Sequence, residues 1–189
     1  MACLGDGPMK KLILIRHAQA DGKHRDSPLT NHGVNQAYRI AEYFMDQNLK
    51  IDQIISSPYM RALETIRPYA REKDINIKRD KRLSERVLSS EAVEDWLDAV
   101  ETSFEDPDYA LPGGESSSEA LSRILEVIEA IKENDESETA VLVTHGNLLM
   151  ILLAHFDKNY GFKQWRRLKK PDLFIIEKND DSNQVKHIW

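Results

Sequence analysis

The sequence predicts an α/β protein, a three-layer α/β/α sandwich around a largely parallel sheet, from two observations. Short continuous apolar runs, the pattern of strands that are buried on both faces, occur at residues 11–15 and 140–143. Segments with apolar residues at helical spacing alternate with such runs, which is typical of helices packed on both faces of a parallel sheet. The 189 residues are enough for one core and too few for two ordinary domains.

Caps and prolines mark the elements of the first half of the chain. Thr30 is a typical N-cap for a helix that runs to about residue 48. A second short strand, at 52–56, ends before Pro58, because proline cannot donate a hydrogen bond within a sheet. A helix is predicted over 59–72, and Pro68 is expected to kink or split it.

The second half begins with a weaker strand at 75–77, a helix at 91–102 and a loop at 112–114. A strongly periodic helix then carries Leu121, Ile124, Leu125, Ile128 and Ile131. After the strand at 140–143, Gly146 turns the chain into a helix over 148–156. Residues 173–177 and 185–189 flank a polar run and are predicted to form a hairpin.

We expect a single domain over residues 9–189, preceded by a disordered lead. Residues 1–8 are rich in Gly and hold the single Cys, and Met9-Lys10-Lys11 resembles a natural start. The longest apolar run, 148–154, is too short for a membrane span. One Cys excludes an internal disulfide framework and a Cys-rich zinc site, so a cytoplasmic location is expected.

The net charge of −6 is distributed unevenly. The chain has 26 Lys and Arg against 32 Asp and Glu, which argues against a surface devoted to nucleic acid. One segment without Lys or Arg contains ten acids: Glu91, Glu94, Asp95, Asp98, Glu101, Glu105, Asp106, Asp108, Glu115 and Glu119. These acids account for −10, so the rest of the chain carries −6 minus −10, or +4. Any anionic ligand is therefore expected to be held locally by this basic remainder.

Two predicted buried strands end in a histidine, at His17 and at His145. Ligands of open α/β sheets bind at the carboxyl ends of the strands, so both imidazoles are expected in one crevice if the strands are neighbours. Arg16 and Arg61 also lie where strands end or helices begin, and a guanidinium matches the oxygens of phosphate. Taken singly, each of these residues has an ordinary structural use, whereas their combination favours a phosphate site.

The residues resemble a known family through five motifs in order along the chain. They are Arg16-His17-Ala18-Gln19-Ala20, Ser56-Ser57-Pro58 with Arg61, Ala62 and Thr65, Leu83-Ser84-Glu85-Arg86, Pro112-Gly113-Gly114-Glu115-Ser116, and Thr144-His145-Gly146-Asn147. By these motifs the chain is similar to the histidine phosphatase, or phosphoglycerate mutase-like, superfamily. The resemblance extends over nearly the whole chain from Met9 onward and implies the phosphoglycerate mutase-like fold.

The resemblance implies a role for each matching residue. His17 would be the nucleophile that forms a phosphohistidine, and Glu85 would protonate the leaving oxygen and later activate water. Arg16, Arg61 and His145 would surround the transferred phosphoryl group, with His145 contributing most when protonated. His17 must be neutral at the attacking nitrogen, so a backbone carbonyl is expected to accept a hydrogen bond from its other ring nitrogen. Two arginines and a second histidine can supply the positive charge without a metal or another cofactor.

The first motif departs from the family pattern. Ala18, Gln19 and Ala20 stand where the family commonly has glycine, an acidic residue and a hydroxyl residue. The phosphate contact of that hydroxyl is therefore missing. An asparagine that the family often has a few residues later is also absent, and Lys23-His24-Arg25 occupies this region.

Within the family, the acidic segment favours a phosphatase over a mutase. Mutases use extra cations after the position of Glu85, whereas Arg86 is followed by no Lys or Arg until Arg123. Arg86 remains a candidate contact for the part of the substrate that is not transferred. Residues 87–119 are expected to form a lid, in which Trp96 and Phe104 would favour an uncharged or aromatic leaving group. A solvated surface helix is the alternative interpretation of this segment.

Two alternative functions belong to other classes of protein. A non-catalytic module that binds a phosphorylated ligand would use the same cationic pocket, although the presence of both His17 and Glu85 argues against it. Residues 165–170, Trp-Arg-Arg-Leu-Lys-Lys, resemble a short patch for nucleic acid or membrane. No other segment supports that patch, so we expect a small phosphomonoester as the partner, with no nucleic acid and no membrane.

Overall fold

The computed structural model describes residues 4, 9–133, 137–179 and 183–189. Its strands are β1 (Lys11–Arg16), β2 (Gln53–Ser56), β3 (Ile77–Arg79), β4 (Thr139–Thr144), β5 (Asp172–Lys178) and β6 (Asn183–His187). Its helices are α1 (Asn31–Asp46), α2 (Met60–Glu72), α3 (Trp96–Glu105), α4 (Ser117–Lys132), α5 (Gly146–Phe156) and α6 (Phe162–Trp165), and a 3-10 turn covers Lys81–Leu83. None of these helices is both long enough and apolar enough to cross a membrane.

The six strands form one sheet in the order β3-β2-β4-β1-β5-β6. The pairs β3–β2, β2–β4 and β4–β1 are parallel, whereas β5 is antiparallel to β1 and β6 to β5. This topology confirms the largely parallel sheet and the C-terminal hairpin strands; the turn at 180–182 lies outside the described residues. In the parallel register Arg16 lies opposite Thr144 and Ser56 opposite Val143, so β1, β2 and β4 end at one edge.

Two hydrophobic cores, one on each face of the sheet, make the three-layer sandwich. On one face, Leu12, Leu14 and Leu142 pack with α4 and α5. On the other face, alternate residues of the same strands, such as Ile13 and Val141, pack with α1 and α2. Both faces of β1 and β4 are covered, which explains their continuous apolar runs.

Most element boundaries differ from the predicted ones by only a few residues. Thr30 caps α1 as expected, because its hydroxyl accepts a hydrogen bond from the Gly33 N–H at 3.0 Å. The weak strand predicted at 75–77 is instead β3, and α6 and the 3-10 turn were not predicted. Pro68 lies inside α2, which continues through it without being split.

The two ends of the segment 87–119 are joined by backbone hydrogen bonds. The Glu115 N–H donates to the Val87 carbonyl at 2.8 Å, and the Ser90 N–H donates to the Pro112 carbonyl at 3.1 Å. The helix predicted from residue 91 begins only at Trp96, because the preceding residues form turns; there the Ser89 hydroxyl accepts a hydrogen bond from the Glu91 N–H. Trp96 contacts Trp165 of α6 edge to face, with ring centroids 5.9 Å apart.

The expectation that residues 1–8 lie outside the domain is wrong at Leu4. Leu4 is 1% exposed and belongs to the core on the α4 and α5 face. Its N–H donates to the Asn183 side chain at 3.4 Å. A buried leucine contributes to stability whatever the composition around it. The other residues of the predicted lead lie outside the described part of the chain.

The capping box of α4 gives a stability prediction. The Ser116 hydroxyl accepts from the Glu119 N–H at 3.1 Å, and the Glu119 carboxylate accepts from the Ser116 N–H at 2.8 Å. We expect Ser116→Ala to lower the free energy of unfolding by about 1 kcal/mol. The control Ser122→Ala, on the exposed face of the same helix, stays within about 0.5 kcal/mol of the wild type. Urea denaturation of both variants measures the difference, and equal effects would contradict the cap.

Candidate active site

Three strand ends bring the candidate site residues together. His17 follows β1, Ser57 follows β2 and His145 follows β4. The backbone continues the parallel pairing past the strands, because the His17 N–H donates to the Thr144 carbonyl at 3.0 Å and the Ser57 N–H to the Val143 carbonyl at 2.9 Å. The rings of His17 and His145 have centroids 5.2 Å apart. Both histidines therefore open into one crevice, as their positions in the sequence predicted.

Hydrogen bonds define the protonation of His17. Its Nδ1 lies 2.7 Å from the Ala18 carbonyl oxygen, which can only accept, so Nδ1 carries the proton. Arg61 donates from Nε to His17 Nε2 at 3.2 Å, so Nε2 presents its lone pair. This is the neutral imidazole with a carbonyl partner that the sequence analysis expected. The nitrogen that would attack faces a guanidinium.

Burial keeps the His17 ring neutral. The side chain is almost fully buried, which lowers its pKa to about 3, and the charges of Arg61, Arg16 and Lys170 act in the same direction. The hydrogen bond to the Ala18 carbonyl opposes this shift and is outweighed. His17 is therefore an unprotonated base at neutral pH.

Arg61 connects the two histidines. It lies in the first turn of α2, behind the N-cap residue Tyr59, and its guanidinium is 4.8 Å from the centroid of the Tyr59 ring. Besides its bond to His17, it donates from Nη1 to the His24 carbonyl at 2.8 Å and reaches His145 Nδ1 from Nη2 at 3.4 Å. Contacts on three sides hold the guanidinium in one orientation.

His145 is also neutral. Its Nδ1 accepts from Arg61, and its Nε2 lies 2.8 Å from the Ser57 hydroxyl, so Nε2 carries the proton. Burial lowers the pKa of His145 well below its usual value, and electrostatic interactions with His17, Arg61 and Arg16 lower it further. The expectation that His145 contributes most as a protonated ring beside phosphate stays a prediction.

Arg16 is held by the loop before β5. Its Nη1 donates to the carbonyls of Leu168 and Lys169, both at 3.0 Å. A Cβ at Gly146 would lie 3.1 Å from the Arg16 guanidinium carbon, so a larger residue there would have to shift Arg16 by a few tenths of an ångström. Arg16 Nε is buried and has no hydrogen-bond partner among the described residues. That donor suits an anion in the crevice.

Glu85 lies at the N-terminus of α5. Its carboxylate accepts from the backbone N–H groups of Asn147 and Leu148, both at 3.1 Å, and from the Arg86 N–H at 2.9 Å. Burial lowers the pKa values of Arg16 and Arg61, and the nearby Glu85 carboxylate opposes both shifts. Glu85 therefore lies close enough to both guanidinium groups to share the crevice.

Comparison with known proteins identifies the family. The family model described as histidine phosphatase superfamily (branch 1) matches residues 12–188. The chain belongs to the histidine phosphatase superfamily.

Relatives include both phosphatases and mutases. The chain is 28% identical over 156 residues to the ecdysteroid-phosphate phosphatase of Drosophila melanogaster, covering 77% of this chain and 21% of that protein. It is 28% identical over 167 residues to the 2,3-bisphosphoglycerate-dependent phosphoglycerate mutase of Parvibaculum lavamentivorans, covering 78% and 80%. A mycobacterial glucosyl-3-phosphoglycerate phosphatase structure shares the fold at a TM-score of 0.72 and 23% identity, covering 95% of this chain and 98% of the other.

Arg86 lies between α3 and α4. It is 4% exposed and donates to the hydroxyls of Ser117 at 2.7 Å and Ser103 at 2.9 Å. These bonds tie α3 to α4 inside the protein. The terminal nitrogens of Arg86 thus donate to the protein, whereas its buried Nε has no hydrogen-bond partner among the described residues, and a contact of Arg86 with the substrate stays a prediction.

Trp96 and Phe104, the predicted apolar contacts of the leaving group, contact aromatic rings of α6, and Trp96 remains about half exposed. Trp96 packs against Trp165, and Phe104 lies 6.4 Å from Phe162 between ring centroids. Their rings thus fix α3 onto α6. The position of an arginine at the end of a strand can be predicted from the sequence, whereas the contact partner of an aromatic ring depends on tertiary packing.

Several supporting residues of the candidate site were missed by the sequence predictions or were left without a role. Thr65 accepts from the Ala18 N–H at 2.9 Å and donates to the Arg61 carbonyl at 2.7 Å, which joins the two halves of the crevice. Asp172, 1% exposed, accepts from the Lys169 N–H at 2.9 Å and so orders the loop that binds Arg16. Thr65 was visible in a motif, whereas no sequence signal marked Asp172. Among the described residues, no three His, Cys, Asp or Glu side chains are grouped to hold a metal.

The low pKa of His17 predicts a pH dependence of stability. In the unfolded chain the ring takes up a proton near its ordinary value of 6.5, whereas in the folded protein it stays neutral down to about pH 3. The unfolded state therefore binds more protons in this range, and stability falls as the pH falls below 6.5. We expect the His17 contribution to fall by about 2 kcal/mol between pH 7 and pH 5.

The variant His17→Asn isolates this contribution. The free energy of unfolding of the wild type, measured with urea, should fall more steeply below pH 6.5 than that of the variant. A difference between the two proteins that stays constant from pH 7 to about pH 5 would contradict a neutral buried His17.

Proposed function

We propose that this histidine phosphatase hydrolyses phosphomonoesters through a phosphohistidine on His17. The observation that carries the proposal is the neutral His17 ring, with its proton fixed on Nδ1 and its Nε2 lone pair directed at the Arg61 guanidinium. A nucleophile needs that lone pair, and a phosphoryl group needs the cation beside it. An ordinary structural histidine requires neither.

In the first step His17 Nε2 attacks phosphorus and the bond from phosphorus to the ester oxygen breaks. Glu85 enters this step as the carboxylic acid and gives its proton to that oxygen, so the alcohol leaves neutral. In the second step Glu85 takes a proton from water, whose oxygen attacks phosphorus and breaks the bond to Nε2. Inorganic phosphate leaves, and His17 and Glu85 return to their starting protonation.

Positive charge around the phosphoryl group is proposed to come from the protein alone. Arg16 and Arg61 are fixed by carbonyl groups on separate loops, and Arg16 keeps an unpartnered Nε for an incoming oxygen. A bound phosphate dianion favours the protonated form of His145 and so adds a third cation. On this basis we propose that the reaction needs no metal ion and no other cofactor.

Hydrolysis is favoured over mutase chemistry by the segment 87–119. We propose that this segment is a lid over the crevice, because α3 packs on α6, directly before the loop that holds Arg16. Its ten acids, Glu91, Glu94, Asp95, Asp98, Glu101, Glu105, Asp106, Asp108, Glu115 and Glu119, would repel a bisphosphorylated sugar acid that a mutase must bind. Because a phosphoglycerate mutase is among the relatives, mutase activity is the second candidate function.

The phosphohistidine predicts the effect of removing its nucleophile. His17→Ala should lower kcat/KM for 4-nitrophenyl phosphate by about 1000-fold or more, since no other group can take the phosphoryl group. The control His155→Ala, near the end of α5, should keep wild-type activity. Wild-type activity should persist in millimolar EDTA. Loss on chelation would contradict the metal-free reaction, and equal activity in His17→Ala would contradict the nucleophile.

Rapid quenching separates the phosphatase from the two alternatives. Substrate labelled in its phosphoryl group should leave acid-labile, base-stable label on the wild type and none on His17→Ala. A non-catalytic binding module would show neither label nor phosphate release. Conversion of 3-phosphoglycerate to its 2-phospho isomer in the presence of the bisphosphate, with little release of phosphate, would favour the mutase.

The role of Glu85 predicts a dependence on the leaving group. Glu85→Gln should lower kcat/KM for glycerol 3-phosphate by about 100-fold or more, because the alkoxide must be protonated as it leaves. Nitrophenolate leaves without a proton, so kcat/KM for 4-nitrophenyl phosphate should fall far less. The exposed Glu72→Gln in α2 serves as the matched control. Equal losses with both esters would rule out proton donation by Glu85.

A further inference from the structure

A groove of about 390 Å³ lies on the surface between α1 and the loop before β5. We call it the basic groove, and it is lined by Gln36, Arg39, Lys169, Lys170, Pro171 and Trp189. Three of its residues are cations, and no Asp or Glu in the described part of the chain lines it. No residue of the acidic segment 87–119 borders it either. The groove is thus a place outside the crevice where cations of the basic remainder come together.

The basic groove adjoins the catalytic crevice through Gln36. Its side-chain oxygen accepts from the Gln19 N–H at 3.0 Å, two residues after His17, and its amide nitrogen donates to the Lys170 carbonyl at 2.7 Å. The neighbouring Lys169 carbonyl accepts from Arg16. The loop that lines the groove is therefore also the loop that positions Arg16, a candidate residue for binding phosphate. A substrate held at His17 has the groove as its neighbour.

The cations of this region lack counter-ions. In the ranges that the structure describes, no carboxylate lies within ion-pair distance of Arg39, Lys169 or Lys170, or of Lys23 on the loop after His17. Partial burial lowers the pKa of Lys170, and the charges of Arg16, Lys23 and Arg61 lower it further. Such uncompensated positive charge attracts anions.

The groove also has an apolar wall. Trp189 is held edge to face against Tyr43 of α1, with ring centroids 4.9 Å apart. Small-molecule sites commonly combine an aromatic surface with a few convergent polar groups. The wall can therefore contact the carbon skeleton of a bound molecule while the lysines face its charge.

We propose that the substrate carries a second anionic group, a carboxylate on the leaving alcohol, which binds in the basic groove with Lys170 at its junction with the crevice. The proposal rests on the proposed phosphatase function and specifies its substrate class. It differs from the uncharged or aromatic leaving group expected from Trp96 and Phe104, whose rings contact aromatic rings of α6. Lys170 thereby becomes a residue that determines specificity.

A matched pair of esters tests the proposal. 3-Phosphoglycerate and glycerol 3-phosphate differ only by a carboxylate in place of a hydroxymethyl group, so the ratio of their kcat/KM values for phosphate release measures recognition of the second anion. We expect the wild type to prefer 3-phosphoglycerate and Lys170→Ala to reduce the ratio about fivefold. Lys170→Glu should reverse the preference. The control Lys73→Ala, on an exposed lysine at the end of α2, should leave the ratio unchanged.

The outcomes separate this inference from the phosphatase itself. If the wild type hydrolyses both esters and Lys170→Ala and Lys170→Glu leave the ratio unchanged, the second-anion site is overturned and the phosphatase stands. If the wild type hydrolyses neither ester nor 4-nitrophenyl phosphate, the phosphatase fails. Calorimetric binding of the two esters to His17→Ala then decides the groove: a preference for 3-phosphoglycerate that is lost in His17→Ala/Lys170→Ala supports it, and equal affinities overturn it.

Discussion

The parallel pairing of β1 with β4 is the constraint on which the site depends. Their register places Arg16 opposite Thr144, so the next residues of both strands, His17 and His145, leave the sheet side by side. The pairing is stabilised by burial on both faces, since alternate residues of these strands pack into separate cores. A slip of one residue would exchange the two faces and separate the imidazoles. The apolar interior therefore sets the distance between two polar groups at its edge.

Around this pair, fixed carbonyl groups orient charges that the interior would otherwise disfavour. Arg16 donates to the carbonyls of Leu168 and Lys169, and Arg61 to that of His24. Carbonyl oxygens satisfy the guanidinium donors without neutralising their charge. The crevice therefore keeps a positive field while its histidines stay neutral, which suits both nucleophilic attack and the binding of a phosphoryl group. Neutralisation by carboxylates would have given a stable ion-pair cluster with little affinity for phosphate.

The segregation of charge gives the molecule two unlike sides next to one crevice. The acids of residues 87–119 belong to an excursion that packs through α3 on α6. The lysines that follow α6 belong to the loop that holds Arg16 and borders the basic groove. In the sequence, the cluster at 165–170 resembled a patch that binds nucleic acid or membrane. In the fold its members are divided: Trp165 packs against Trp96, and Lys169 and Lys170 line the groove beside the crevice.

Local patterns determined much of this protein from sequence alone. The continuous apolar runs of β1 and β4, the Thr30 cap and the five ordered motifs predicted the layers, the family and the residues that meet in the crevice. These features depend on near neighbours in the chain, so a single sequence displays them. The tertiary structure decided what distant residues do to one another. It buried Leu4 and Arg86, turned Trp96 and Phe104 toward α6, and joined Gln36 to Lys170. Those outcomes depend on which surfaces meet after folding, and hydrogen bonds between residues more than a hundred positions apart leave no period or spacing in the sequence.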